Sequence, residues 1–153
     1  MALQIRLLRH SDVEVLASVA DGVFDDPVDV PAARAFLNDP RHHIVVAVDD
    51  GVVVGFVSAL HYVHPDKTAP ELWINEVAVA PTHWRRGTGA RLMRTMLDHA
   101  AGLGCAEAWV LTGRTNMAAM RLYASVGGAE FSEDVVMFSF PLAPAQAPEA
   151  GGR

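Results

Sequence analysis

With 153 residues, 51% of them hydrophobic and 20% charged, the chain fits one domain with a full apolar core. A net charge of −6, from 18 acidic and 12 basic residues, argues against the basic face that nucleic-acid binding needs. No apolar run approaches the ~18 residues of a membrane span, the N-terminus has no signal-peptide pattern, and the single Cys105 excludes an internal disulfide, which together favour a cytoplasmic protein.

In chain order, Gln4 to Leu8 reads as a short first strand. Ser11-Asp12-Val13-Glu14 has the spacing of a capping box, and Leu16, Val19, Ala20 and Val23 follow on one face of a helix. Asp25-Asp26-Pro27 breaks that helix, and a second begins near Val30-Pro31 and stops at Asn38-Asp39-Pro40. His42 to Val48 and Val52 to Leu60 are β-branched-rich runs around Asp49-Asp50-Gly51, a hairpin signal. His64 to Pro70 reads as a loop and Glu71 to Val79 as a strand. Gly87 to Leu103 is expected to be a helix burying Leu92, Met93, Met96, Leu97 and Ala100, closed by Gly104.

Ala106 to Thr112 follows as a strand. Asn116 opens a helix that buries Ala119, Leu122, Tyr123 and Val126 and ends at Gly127-Gly128. Val135 to Phe140 is read as the last strand. The order β-α-α-β-β-β-α-β-α-β gives an α+β fold, a mixed sheet with helices on its faces. Residues 1–140 make the domain, and 141–153, PLAPAQAPEAGGR, have the composition of a disordered tail.

The stretch from Glu76 to Met93 is the most informative. A strand enters a turn holding Arg85, Arg86, Gly87 and Gly89, and the turn opens an amphipathic helix. Backbone amides at a helix start lack internal partners and carry partial positive charge, so they suit a pyrophosphate. Glycine permits close approach, and the arginines add charge-assisted contacts. Neither the third glycine of a Rossmann turn nor the Gly-Lys-Ser/Thr of a Walker loop is present. An ordinary strand-to-helix turn with solvated arginines is the alternative.

Glu76-Val77-Ala78-Val79-Ala80-Pro81 and Trp84-Arg85-Arg86-Gly87-Thr88-Gly89 resemble the pyrophosphate motif of the GNAT N-acetyltransferase superfamily, Gln/Arg-x-x-Gly-x-Gly/Ala after a strand. Trp84 departs from it, standing where Gln or Arg is usual. Asn116 to Gly127 is similar to the family's Asn-x-x-Ala-x-x-Leu-Tyr-x-x-x-Gly-Phe, with Gly128 replacing the Phe. The resemblance spans about Ile5 to Phe140. It implies a GNAT-like fold with a mostly antiparallel twisted sheet and acetyl-CoA as co-substrate. The cofactor would be held by Val77, Ala78, Val79, Arg85, Arg86, Gly87, Thr88, Gly89, Ala90 and Asn116.

Within the superfamily the chain looks most like type I aminoglycoside 3-N-acetyltransferases. The residues that carry this are Glu71 to Glu76, His83-Trp84-Arg85-Arg86, Val135 to Phe140, and the acidic segment Asp21 to Asp26. The acceptor implied is a small cationic amine, with Asp25, Asp26, Glu71 and Glu76 as candidate contacts and Asp29 beside them. A homodimer is compatible with the resemblance. Rival readings are an acetyltransferase for another small amine, a polyamine or a protein amine, and a non-catalytic acetyl-CoA sensor.

Amide formation from a thioester needs a neutral amine, a stabilised oxyanion and a protonated thiolate. Glu76 is the candidate base, or else a solvent-facing strand residue. Tyr123 is the candidate acid, or a core tyrosine on its helix face; both readings can hold at once. Asn116 either caps its helix or contacts the cofactor. His61 and His64 lack the partners of a zinc site, no nucleophile elbow is present, and Cys105 reads as a packing residue. No metal is assigned.

Overall fold

The computed structural model describes residues 2–143. Five strands form one sheet in the order β1-β2-β3-β4-β5: β1 Gln4–Leu7, β2 His42–Asp49, β3 Val52–His64, β4 Lys67–Val79 and β5 Glu107–Val110. The first four are antiparallel neighbours and β5 joins β4 in parallel. Helix α1 spans Val30–Asn38, α2 Thr88–Gly102 and α3 Met117–Ser125. The α+β architecture is the expected one.

Alternation explains the layering. β2 and β3 are buried almost throughout, from His43 to Ala47 and from Val53 to Ala59, as central strands covered on both faces must be. α2 covers one face with Leu92, Met93, Met96 and Ala100. Gly55 makes room for it: a Cβ there would come within 3.2 Å of Leu92 and 3.1 Å of the Ala78 carbonyl. Phe24, Val28, Ala33 and Phe36 pack against the core from α1 and the segment before it, with Phe24 stacked on Phe56 at 4.3 Å.

Three expected elements differ. The first helix is only a 3-10 turn, Val13–Ala17. Val19 instead bridges β3 at Val53, with Val53 N–H donating to the Ser18 carbonyl and Ala20 N–H to the Val53 carbonyl, both at 2.9 Å. A β-branched residue drawn into a strand bridge cannot also continue a helix. Nor does the capping box form, because Asp12 turns back to accept from the Arg9 amide at 2.8 Å. The expected loop from His64 to Pro70 is a tight hairpin turn, since β3 runs to His64 and β4 begins at Lys67. Val135 to Phe140 forms no strand with the sheet and is exposed throughout. The expected tail falls mostly outside the described residues.

β2, β3 and α2 are also joined by a chain of imidazoles. His99 Nε2 lies 2.9 Å from His43 Nδ1, and His43 Nε2 lies 2.7 Å from His61 Nδ1. His43, the middle ring, uses both nitrogens, and when neutral it gives one proton and receives one. Burial, then the neighbouring His99 and His61, lowers the His43 pKa from 6.5 to about 4. Unfolding restores the ordinary value, so the unfolded chain binds the extra proton and stability falls as pH drops from 6.5 toward 4. His43 is 8% exposed, and such a shift is worth at most about 3 kcal/mol. Urea unfolding should show this loss between pH 7 and pH 4.5 in the native chain and a shallower dependence in His43→Leu.

Candidate functional site

The site forms where β4 stops being an ordinary strand. Ser58 pairs with Glu76 but Ala59 pairs with Ile74, so Asn75 is an extra residue, a β-bulge. A bulge breaks strict alternation, and here Asn75 and Glu76 both line one cavity. The parallel ladder with β5 ends at the same place, at Ile74 opposite Val110, while β4 continues to Val79. Residues 75–79 therefore have a strand partner on the β3 side only. Half of a strand's amides and carbonyls point to each side, so this edge offers free backbone groups to an extended ligand. By alternation Val77 and Val79 turn their backbone groups to that edge, whereas Ala78 between them, like Ala80, turns its own toward β3.

Beyond Val79 the chain makes a 3-10 turn, Pro81–His83, and enters α2. His83 Nε2 lies 2.7 Å from the Asp49 carboxylate and its Nδ1 lies 2.8 Å from the Thr82 hydroxyl. The His83 contact holds the Asp49 pKa below its ordinary value and ties the turn to the β2–β3 hairpin. Trp84 donates its indole N–H to the Val79 carbonyl at 2.6 Å. Where the family motif has a polar side chain, this chain has one that fastens the turn to the end of β4.

Arg85 and Gly87 both take left-handed backbone, φ 61° and 75°. A Cβ on Gly87 would meet nothing within 4 Å, so its freedom serves the turn and leaves the space above it open. Gly89 differs, because a Cβ there would press on Leu122 at 3.2 Å. That glycine lets α3 dock on α2. The first amide to bond within α2 is that of Arg91, donating to Gly87, which leaves the amides of Thr88, Gly89 and Ala90 for other acceptors. The Thr88 hydroxyl is buried without a hydrogen-bond partner among the described residues, and Arg85 and Arg86 are exposed beside it.

α3 brings Tyr123 to this end of the sheet. Tyr123 is half-buried and packs against the core. Burial raises its pKa above 10.0, so the phenol keeps its proton at neutral pH. Asn116 caps α3, its Oδ1 accepting from Ala119 N–H at 3.1 Å, which is the plainer of its two expected roles; its amide nitrogen is left for a ligand. At Gly128 a Cβ would sit 2.8 Å from the Tyr123 carbonyl oxygen, so the chain's turn after α3 excludes the larger residue of the family pattern.

A cavity of about 360 Å³ lies between α1 and the sheet. Asp25, Asp26 and Asp29 stand on one wall, Glu76 and Ser58 on another, and Phe24, Phe36 and Phe56 line the apolar part. A second hollow of about 250 Å³ shares Phe36, Ser58 and Glu76 and adds His42, Leu60 and Asn75. Asp29 is partly committed, capping α1 by accepting from Ala32 N–H at 2.9 Å. None of the ion pairs among the described residues uses Asp25, Asp26 or Glu76. Glu71 does not join them. Its carboxylate lies 2.7 Å from His64 and 3.5 Å from Lys67, on the far part of β4. Strand alternation concealed Asn75, and Ser58 and the phenylalanines looked like plain core residues. No group of three His, Cys, Asp or Glu among the described residues is arranged to hold a metal.

The model of the acetyltransferase (GNAT) family matches residues 13–127. The chain belongs to the GNAT acetyltransferases. This acetyltransferase is 34% identical over 126 residues to the N-alpha-acetyltransferase RimI of Mycobacterium tuberculosis, covering 80% of this chain and 76% of that one. It is 33% identical to the mycothiol acetyltransferase of Mycolicibacterium gilvum, over 83% of this chain but only 39% of that protein. An aminoglycoside acetyltransferase from an uncultured soil metagenomic sample, solved with trehalose, superposes with a TM-score of 0.79. That match has 22% identity and covers 92% of this chain and 97% of the other, a likeness of fold. AAC(6′)-Iy, solved with a bisubstrate analogue of CoA and acetylneamine, gives 0.74 at 20% identity, covering 93% and 100% of the two chains. No helix among the described residues is long and apolar enough to cross a membrane.

GNAT enzymes use acetyl-CoA, and the residues here fit it: open amides at the start of α2, two exposed arginines, an orphaned hydroxyl and a free strand edge. Gly87→Val forces a β-branched residue into left-handed backbone and fills the open space above the turn. Calorimetry should show acetyl-CoA affinity falling at least tenfold in a variant that circular dichroism shows to be folded.

Proposed function

We propose that this acetyltransferase moves the acetyl group of acetyl-CoA to a primary amine of a small, multiply charged acceptor, with the 3-amine of an aminoglycoside as the leading case. The observation that carries the reading is the cavity that gathers Asp25, Asp26, Asp29 and Glu76 around a phenylalanine-lined interior. A single exposed ion pair supplies only about 0–1 kcal/mol. Several unpaired carboxylates around one cavity select an acceptor that carries several ammonium groups, and their field speeds its encounter. The same soil-metagenome acetyltransferase that was solved with trehalose was also solved with sisomicin, which supports an acceptor of this size and charge.

Acetyl-CoA supplies an activated acyl carbon; the chain supplies position and proton control. Backbone amides of the free β4 edge at Val77 and Val79 orient the pantetheine arm and the thioester carbonyl, and the turn from Arg85 to Ala90 holds the pyrophosphate. Glu76, on the bulged part of the same strand, takes the proton from the acceptor ammonium, directly or through a water. The amine lone pair attacks the carbonyl carbon to give a tetrahedral intermediate. As the C–S bond breaks, Tyr123 protonates the departing thiolate, the attacking nitrogen sheds its second proton to water, and the Tyr123 phenolate regains its proton from water. The raised pKa keeps that proton on Tyr123 at neutral pH until the thiolate departs.

The similarity to RimI favours one second reading, transfer to the α-amine of a protein N-terminus. Thiol release measured with an aminoglycoside panel, an N-terminal peptide and simple monoamines decides between the two. Faster turnover of the peptide than of any aminoglycoside overturns the first reading.

Three variants test the assignments. The pair Asp25→Asn and Asp26→Asn should raise acceptor KM several-fold and flatten its dependence on ionic strength, with acetyl-CoA affinity unchanged. Tyr123→Phe keeps the packing and loses the donor, so turnover should drop by about 10²–10⁴. Glu76→Gln should lose most activity near neutral pH and regain part of it at higher pH, where free amine is abundant; an equal loss at every pH would make Glu76 a positioning group.

A further inference from the structure

Trp84 stands between two surfaces that a long ligand would touch in turn. On one side is the open edge of β4 at Val77 and Val79, which offers backbone groups. On the other is the turn from Arg85 to Ala90, which offers unbonded amides and two arginines. The Trp84 indole N–H donates to the Val79 carbonyl at 2.6 Å. That carbonyl points away from β3, because the next amide, Ala80 N–H, donates to Val54 of β3 at 2.8 Å and successive residues face opposite ways. The indole therefore lies on the open side of β4, at the very end of the edge.

The residue is nonetheless 60% exposed. Its one polar atom is satisfied within the fold, so the surface it leaves in water is apolar. Single exposed apolar side chains are ordinary, but this one is fixed by a hydrogen bond, and a ligand that covers it has little side-chain freedom to arrest. The order of groups in coenzyme A matches the order of surfaces. Next to the pyrophosphate comes a short branched segment with two methyl groups, and the two amides and the thiol lie beyond it. A pyrophosphate on the turn and amides along the edge bring the methyl-bearing segment past residue 84.

We propose that the Trp84 indole is an apolar wall of the cofactor cleft, packing on the dimethyl segment of the pantetheine arm. By taking the Val79 carbonyl it also ends the edge, so that the arm's amides have Val77 and the Val79 N–H to pair with. The proposal rests on the acetyl-CoA site described above. It gives a binding role to the one residue of the turn that departs from the family motif, since neither Gln nor Arg would set an aromatic ring there.

Acrylamide quenching of tryptophan emission from the full chain should weaken when coenzyme A saturates it. Trp84→Phe leaves only Trp73 and Trp109 to emit, and this protection should vanish. Calorimetry at several temperatures gives a second readout. Trp84→Gln should bind coenzyme A roughly fivefold or more weakly, with a less negative heat-capacity change because less apolar surface is covered. Trp84→Phe should recover part of both. Coenzyme A binding that leaves the quenching unaltered overturns the proposal, as does native affinity in Trp84→Gln. Weaker binding with an unchanged heat capacity also overturns it, because Trp84 would then only hold the turn in shape. A native chain that binds no coenzyme A overturns the cofactor site itself and this contact with it.

Discussion

Strand β4 must satisfy two demands that conflict. It has to be an interior strand, flanked by β3 and β5 and covered by α2, because Leu72 and Ile74 supply part of the core. It also has to expose backbone along the same edge for a ligand to read. The bulge at Asn75 divides the strand between these duties. Before it, Glu71 to Ile74 pair on both sides; after it, β5 is gone and one edge is open. The bulge also turns Asn75 and Glu76 toward one cavity. Both the open edge and the placement of the Glu76 carboxylate therefore depend on one inserted residue.

Around that divided strand the remaining contacts hold the turn into α2 in place. Trp84 reaches back to the Val79 carbonyl, and His83 reaches across to Asp49. Both bonds are made by side chains of the turn itself, so the loop is shaped before any ligand arrives. Preorganisation of this kind spares binding the cost of ordering the loop. The Thr88 hydroxyl stays unpartnered among the described residues, and the first amides of α2 have no acceptor within the helix.

Much of this was legible in the residues. The hairpin around Asp49-Asp50-Gly51, both long helices and the glycine turn follow from local patterning, in which each residue's neighbours in sequence are its neighbours in space. The gathering of Asp25 and Asp26 opposite Glu76 was legible only through family resemblance, since it depends on how α1 lies over the sheet. Glu71 shows the limit. Its charge and strand position looked equivalent to those of Glu76, yet five residues along a strand place it beside His64 and Lys67 instead. The first helix failed for a related reason, because the periodicity of Leu16 to Val23 could not register the pull of Val53 on Val19. Val135 to Phe140 has every local mark of a strand, but pairing needs an edge as well as a sequence.

The contact between Gly89 and Leu122 has a meaning for how such a protein can change over time. The glycine that begins α2 and the leucine beside Tyr123 are far apart in sequence, yet they share one small volume. A larger residue at 89 pushes on Leu122, which adjoins Tyr123 in sequence. The two motifs are thus a single inherited unit. Recombination between relatives at any point from β5 to the start of α3 preserves the site only when the parents agree in the sizes of both residues.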